Sequence, residues 1–212
     1  MRNGSRSVRF AAPLWIAAAA MTFAPRAPAA PSASADVETL LFVRHGEKPP
    51  EAPGQLNCQG LNRALALPAV IAAKYGKPDA IYAASSTASS KNHRWSNVRE
   101  LATVEPTAIE FGLPVQTSAG DAQTLIARRS RGRTVLIASE RHDIERFVRK
   151  IVATHGGNAA DVPAWPDNDF DSIYVVRIDR SAGKPRATFS HDHEGLDGRS
   201  ADCPCAALRP AQ

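Results

Sequence analysis

The chain has 212 residues, 43% of them hydrophobic and 22% charged, with a formal net charge of +5. Four arginines (Arg2, Arg6, Arg9, Arg26) and no acidic residue lie in the first 35 positions, so the remaining 177 residues carry only +1. So small a charge gives no sign of a basic nucleic-acid surface, and no nucleic-acid partner is expected; that length suits one hydrophobic core rather than two domains.

The opening segment reads as an export signal. A basic start precedes the apolar stretch Phe10–Phe23, which is too short for a membrane span. The small-residue patterns Ala27-Pro28-Ala29 and Ala33-Ser34-Ala35 follow, which is the order of a secretory leader and its cleavage site. The expected organisation is a leader over 1–35 and one domain over 36–212 with a short cysteine-containing tail. The expected location is periplasmic or secreted, with no membrane attachment once the leader is removed.

Beyond the leader, two periodicities alternate. Thr39–Val43 is a buried strand. Leu61–Tyr75 has helical spacing, with Pro68 as a kink or restart. Asp79–Ala83 is a second strand, and the polar stretch Ser85–Asn97 follows it. Val98–Phe111 reads as a helix closed by Gly112 and Pro114. Val115–Thr117 is a short strand, Asp121 caps a helix running through Arg129, and Thr134–Ala138 is a strong strand. Asp143–Thr154 is an amphipathic helix ended by Gly156-Gly157. Ser172–Ile178 and Arg186–Ser190 are the last strands, joined by a turn near Ser181-Ala182-Gly183. Strands separated by helices imply an α/β fold, a three-layer sandwich with a mostly parallel sheet and helices on both faces.

The most informative residues end the first strand: Arg44-His45-Gly46-Glu47-Lys48. In open α/β sheets, ligands bind beyond the carboxyl ends of strands. A guanidinium presents a planar fork that fits two phosphoryl oxygens. A neutral imidazole can attack phosphorus and carry the phosphoryl group as a covalent intermediate. Gly46 permits close backbone approach, and Glu47 can orient the imidazole or a cation.

Three cysteines remain: Cys58, Cys203 and Cys205. An exported compartment permits disulfides, but an odd number cannot pair fully within one chain. Cys58 can link to either tail cysteine, the tail pair can close on itself in a strained ring, or Cys-Pro-Cys can bind a soft metal. His191-Asp192-His193-Glu194 has the alternation of a metal cluster but lacks a third ligand from a second motif, and a solvated strand end is the ordinary explanation. No metal or other cofactor is expected.

The segment Leu41-Phe42-Val43-Arg44-His45-Gly46-Glu47 resembles the signature of the histidine phosphatase superfamily, in the branch that includes the cofactor-dependent phosphoglycerate mutases. Further segments are similar in the right order: Leu56-Asn57-Cys58-Gln59-Gly60-Leu61-Asn62-Arg63-Ala64 at the entry to the first helix; Asp79–Ala83 at the second strand; Arg99 with Thr103, then Gly112-Leu113-Pro114-Val115; and Thr134–Ala138 followed by His142. The resemblance spans about residues 38–178. It implies a phosphoglycerate mutase-like fold and a small phosphorylated substrate. It makes His45 the phosphorylated nucleophile, with Arg44, Arg99 and His142 around the phosphoryl oxygens. Lys48 and Asn57 join Glu47 as candidate substrate-binding residues.

Three departures qualify this pattern. An inserted stretch, Thr87–Val98, precedes Arg99 and makes Arg94 a competitor, although the spacing to Thr103 favours Arg99. His142 falls later than the family's second histidine, and Arg141 stands near the expected position. The mutase branch's catalytic glutamate has no clear match. Glu140 and Asp143 are the candidate acids, with Asp121 a further possibility, and a helix N-cap is the ordinary role for Asp143. The implied function is an exported phosphatase acting on phosphate monoesters through a phosphohistidine at His45. The alternative is a phosphatase-like domain that binds a phosphorylated ligand or a partner without turnover.

Overall fold

The computed structural model describes residues 36–51, 54–84, 96–118 and 132–205. The expected leader, the polar stretch with His93 and Arg94, and the expected helix from Asp121 lie outside these residues.

In chain order the elements are β1 (Val37–Arg44), α1 (Cys58–Tyr75), β2 (Ala80–Ala84), α2 (Arg99–Phe111), β3 (Val115–Ser118), β4 (Thr134–Ser139), α3 (Arg141–Thr154), a 3₁₀ turn (Ala159–Asp161), β5 (Ser172–Asp179) and β6 (Arg186–His193). Six strands form one sheet in the order β3-β2-β4-β1-β5-β6. The pairs β1–β4, β2–β4 and β2–β3 are parallel, whereas β1–β5 and β5–β6 are antiparallel. The sheet is therefore mostly parallel, as the sequence suggested: β3, β2, β4 and β1 run the same way, and the antiparallel hairpin β5–β6 closes it.

Alternation along the strands sends successive side chains to opposite faces, and each face finds its own helices. Leu41, Val43, Leu136, Ala138, Ile173 and Val175 pack with Leu67 and Ile71 of α1 and Val104 and Ala108 of α2. Leu40, Phe42, Val135, Ile137, Tyr174 and Val176 pack with Ile144, Val148 and Val152 of α3. This is the three-layer sandwich. Because β1 and β4 are buried on both faces, they read as unbroken apolar runs.

Pro68 and Pro106 lie inside α1 and α2, and neither ends its helix. The helix at Pro68, expected to kink or restart, runs as one assigned element from Cys58. Asn57 caps it, its side-chain oxygen accepting from Gly60 N at 2.8 Å. Cys58 is joined to Cys203, with the Cα atoms 4.6 Å apart, and Cys205 is free and exposed. Asn62 Nδ2 donates to the carbonyls of Ser200 and Asp202 at 2.9 and 2.8 Å, fastening the same tail to α1. Among the described residues, no helix is long and apolar enough to cross a membrane.

Candidate active site

The site starts where β1 and β4 end together, with Arg44 opposite Ser139. The chain then leaves the sheet. His45 N donates to the Ser139 carbonyl at 3.2 Å, and Gly46 N donates to Thr103 Oγ1 at 2.9 Å. The Thr103 hydroxyl donates in turn to the Arg99 carbonyl at 2.8 Å. One hydroxyl thus ties the turn after β1 to the first turn of α2, and so fixes His45 relative to Arg99.

This turn is also pressed against α1. A Cβ on Gly60 would lie 2.2 Å from the Glu47 carbonyl oxygen and 2.7 Å from its nitrogen. No side chain fits there, so glycine at position 60 lets the loop seat on the helix.

The imidazole of His45 is 3% exposed. Its Nδ1 lies 2.8 Å from the Gly46 carbonyl oxygen. A carbonyl only accepts, so Nδ1 carries the proton and Nε2 keeps its lone pair. Burial pushes the ring's pKa down to about 3, and the charges of Arg99, Arg44 and Lys48 act in the same direction. The ring is therefore neutral at ordinary pH, as a nucleophile must be.

Arg44 is held in a fixed pose. Its Nη1 donates to the carbonyls of Asp167 and Asp169 at 2.8 and 2.7 Å. Its Cζ lies 3.9 Å from the centroid of the Phe170 ring, a cation–π contact. Burial, aided by the charge of Arg141, lowers its pKa to about 10, so it stays charged. Phe170 also faces His45, with ring centroids 6.1 Å apart. The acidic, aromatic segment before β5, residues 165–171, is thus a strap beside Arg44 and His45.

Arg99, the first residue of α2, is 5% exposed. Its Nη1 donates to Asn97 Oδ1 at 2.5 Å, its Nη2 pairs with Glu140, and its Nε lies 3.1 Å from Glu100 Oε1. Glu100 is 1% exposed, and burial pushes its carboxyl up to about 7.

The remaining expected residues separate. Lys48 is partly buried and close enough for its charge to act on His45. Glu47 turns to a cation rather than to the imidazole: both its oxygens accept from Arg63 Nε at 3.1 Å. Asn57, expected at the substrate, uses its side-chain oxygen as the cap of α1. Glu140, half-exposed, pairs with Arg99. Asp143 pairs with Arg146 at 2.7 Å and is not the N-cap, because α3 begins earlier, after Glu140. His142 is exposed on the first turn of α3, with Arg141 Nη1 3.4 Å from its Nδ1, and among the described residues it makes none of the contacts given above for Arg44, His45 and Arg99. In the former metal candidate, His191 Nε2 meets Ser172 Oγ at 2.6 Å, Asp192 pairs with Lys74 and Tyr75, and Glu194 pairs with Arg63.

Arg63 was absent from the sequence-derived site. It is 1% exposed and binds Glu47 and Glu194 at 2.8 Å, Asp197 at 2.9 Å and Asp171 at 3.2 Å. It joins the loop after His45 to the strap and to the tail. The available signal was a charge on the apolar stripe of α1, between Gly60 and Leu67.

No family model matches the chain, and no curated protein matches it. Among solved structures it is similar to the candidate phosphohistidine phosphatase SixA from Agrobacterium tumefaciens, at 15% identity over 72% of this chain and 97% of that one, with a TM-score of 0.46. It is also similar to the candidate phosphohistidine phosphatase SixA from Nakamurella multipartitia, at 13% identity over 74% and 96%, with a TM-score of 0.48. A third similar structure is the product of an open reading frame from Mycobacterium tuberculosis, at 16% identity over 71% and 95%, with a TM-score of 0.44.

Proposed function

We infer that the chain is an exported phosphatase of the histidine phosphatase type, hydrolysing small phosphate monoesters through a phosphohistidine on His45. The observation that carries this reading is a neutral, buried imidazole whose Nδ1–H is tied to Gly46 and whose neighbouring charges are Arg44, Arg99 and Lys48. Such a ring combines a free lone pair with a cationic wall suited to a tetrahedral anion. Export is supported by the leader-like residues 1–35 and by the Cys58–Cys203 disulfide, a bond that persists in oxidising compartments.

The chemistry divides into two displacements. Nε2 attacks phosphorus in line as the bond to the ester oxygen breaks. The guanidiniums hold the equatorial oxygens, where charge gathers in a loose transition state. The leaving oxygen takes a proton from an acid, and Glu140, held against Arg99, is the candidate. Water then attacks the phosphohistidine and gives a proton to the same carboxylate. Phosphate leaves and the imidazole is restored. The arginines supply the positive charge that this scheme requires.

The test is hydrolysis of p-nitrophenyl phosphate by purified protein across acidic and neutral pH, with and without a chelator, alongside His45→Ala. The expected result is turnover that persists with chelator and disappears in the variant. A one-phosphoryl mass increase on the wild-type chain, trapped without acid quenching, should accompany it. Phosphate binding without turnover, or turnover retained in His45→Ala, would overturn the reading.

A further inference from the structure

Arg44 is committed at one end of its guanidinium. Nη1 carries two hydrogens, and both are taken, by the carbonyls of Asp167 at 2.8 Å and Asp169 at 2.7 Å. Nε is buried and, among the described residues, makes no hydrogen bond. The Nε–Nη2 edge thus carries the hydrogens left for a ligand, and two N–H groups on one edge match two oxygens of a tetrahedral anion. Where that edge points is set by the carbonyls that hold the other end.

Of the two carbonyls, that of Asp169 belongs to the better anchored residue. The Asp167 side chain is 85% exposed, whereas the Asp169 carboxylate is built into the start of β5. Its Oδ1 accepts from the amides of Asp171 and Ser172 at 2.8 and 3.0 Å, and its Oδ2 accepts from Ser172 Oγ at 2.5 Å. Ser172 is fully buried. Its hydroxyl has one hydrogen, given to that carboxylate, so the His191 Nε2 found 2.6 Å from Oγ carries a proton and donates to it. The Asp169 carbonyl also accepts from Trp165 Nε1 at 3.0 Å, and the Trp165 ring packs on Tyr174 with centroids 4.3 Å apart. A chain of contacts runs from β6 through β5 to the guanidinium: His191 to Ser172, Ser172 to the Asp169 carboxylate, and the Asp169 carbonyl to Arg44.

We propose that Asp169 is a positioning residue for Arg44, locking the guanidinium so that its Nε–Nη2 edge meets the phosphoryl oxygens side-on. In this role the carboxylate works through its own main-chain carbonyl rather than by contact with the substrate. A guanidinium fixed before the anion arrives loses little freedom on binding, and its aim is kept as charge develops on the oxygens. The inference deepens the phosphatase reading and rests on its assignment of Arg44 to the phosphoryl group.

The experiment is calorimetric binding of inorganic phosphate to the full protein, which needs no turnover. Asp169→Ala should weaken binding about tenfold, and Asp169→Asn, which keeps an acceptor for the two amides, should recover most of the loss. Ser172→Ala leaves those amide contacts in place and should weaken binding about threefold. The same changes are then made on Arg44→Lys, whose single ammonium has no edge to aim. There each should cost less than about twofold, the coupling expected of residues that act through one another. A purely structural role would cost the same factor in both backgrounds. Should Asp169→Ala not fold, Ser172→Ala faces the same two comparisons. Unchanged phosphate affinity in these variants, equal losses in the two backgrounds, or a wild-type protein that binds no phosphate would overturn the proposal. Failure to hydrolyse p-nitrophenyl phosphate, with the binding pattern intact, would sink the phosphatase reading alone.

Discussion

The side chain of Thr103 accepts a hydrogen bond from the amide of Gly46 and passes one to the Arg99 carbonyl. It is completely buried, so neither group has water as a substitute. Thr103→Val keeps the shape and leaves the Gly46 amide without its acceptor, while the Arg99 carbonyl keeps its helical N–H. Leaving a buried donor unsatisfied costs about 1–3 kcal/mol, and the turn that carries His45 loosens with it. The variant should show a lower urea midpoint and a lower kcat on p-nitrophenyl phosphate, whereas Thr103→Ser should recover most of both. A Thr103→Val protein with wild-type kcat would show that the tie does not position the nucleophile.

The depressed pKa of His45 fixes a sign. The unfolded ring titrates near 6.5 and the folded ring at about 3, so the unfolded state binds the extra proton between those values. The stability contributed by this residue is fully present above about pH 6.5 and is lost as pH falls toward 3. In nuclear magnetic resonance spectra of the folded protein, the His45 ring should keep the neutral Nδ1–H tautomer from pH 8 down to pH 5. A midpoint near 6.5 would refute the buried, cation-flanked environment.

Glu140 and Arg99 make opposite demands on one carboxylate. In the proposed reaction Glu140, as an acid, would speed departure of the alcohol; as a partner of Arg99, it would compete with phosphate for the fork. Glu140→Gln should therefore lower kcat about 100-fold, in the range of general acid catalysis, while tightening inhibition by inorganic phosphate. Loss of kcat should be smaller for p-nitrophenyl phosphate, which needs little protonation, than for phenyl phosphate. Equal kcat values in variant and wild type on both esters would move the acid elsewhere.

Cys58 and Cys203 are 145 residues apart in sequence. Opening so long a loop by Cys203→Ser should cost about 2–5 kcal/mol, read as a fall in the urea midpoint. Without reductant the native protein should take up one equivalent of thiol reagent, at exposed Cys205, and three after reduction and unfolding. Uptake of three before reduction would show that the bond does not form.

Arg63 is the counter-ion of four carboxylates. Arg63→Met strands buried acids, and breaking such a cluster costs about 3–5 kcal/mol. The loss should shrink when Glu194 is also changed to Gln, because Glu194 is buried and titrates upward, at about 8, for that reason. A double variant no more stable than Arg63→Met would detach Glu194 from the cluster.

What the sequence disclosed, and what it did not, follows the range of the forces involved. The strand ending in Arg44-His45-Gly46 was legible because an apolar run broken by charge is a local event. Arg99 was legible through its four-residue spacing to Thr103, now seen as a hydroxyl-to-carbonyl bond within one helical turn. The start of α3 was not: a capping rule selects Asp143, whereas the helix begins two residues earlier after Glu140, whose side chain is drawn to Arg99, 41 positions away in the chain. Arg63 was hidden for the same reason, since its acidic partners lie 16 to 134 residues away. Asn57 sat within a motif, but the motif did not distinguish a helix cap from a ligand contact.

The direction of β5 has a consequence for His45. Because that strand runs against β1, its first residues lie beside the last residues of β1, and whatever precedes it in the chain must arrive over the end of the sheet that carries His45. Phe170 and the two carbonyls that hold Arg44 come to His45 by this route. Reversing the strand would send them to the opposite end of the sheet and leave the imidazole without a roof.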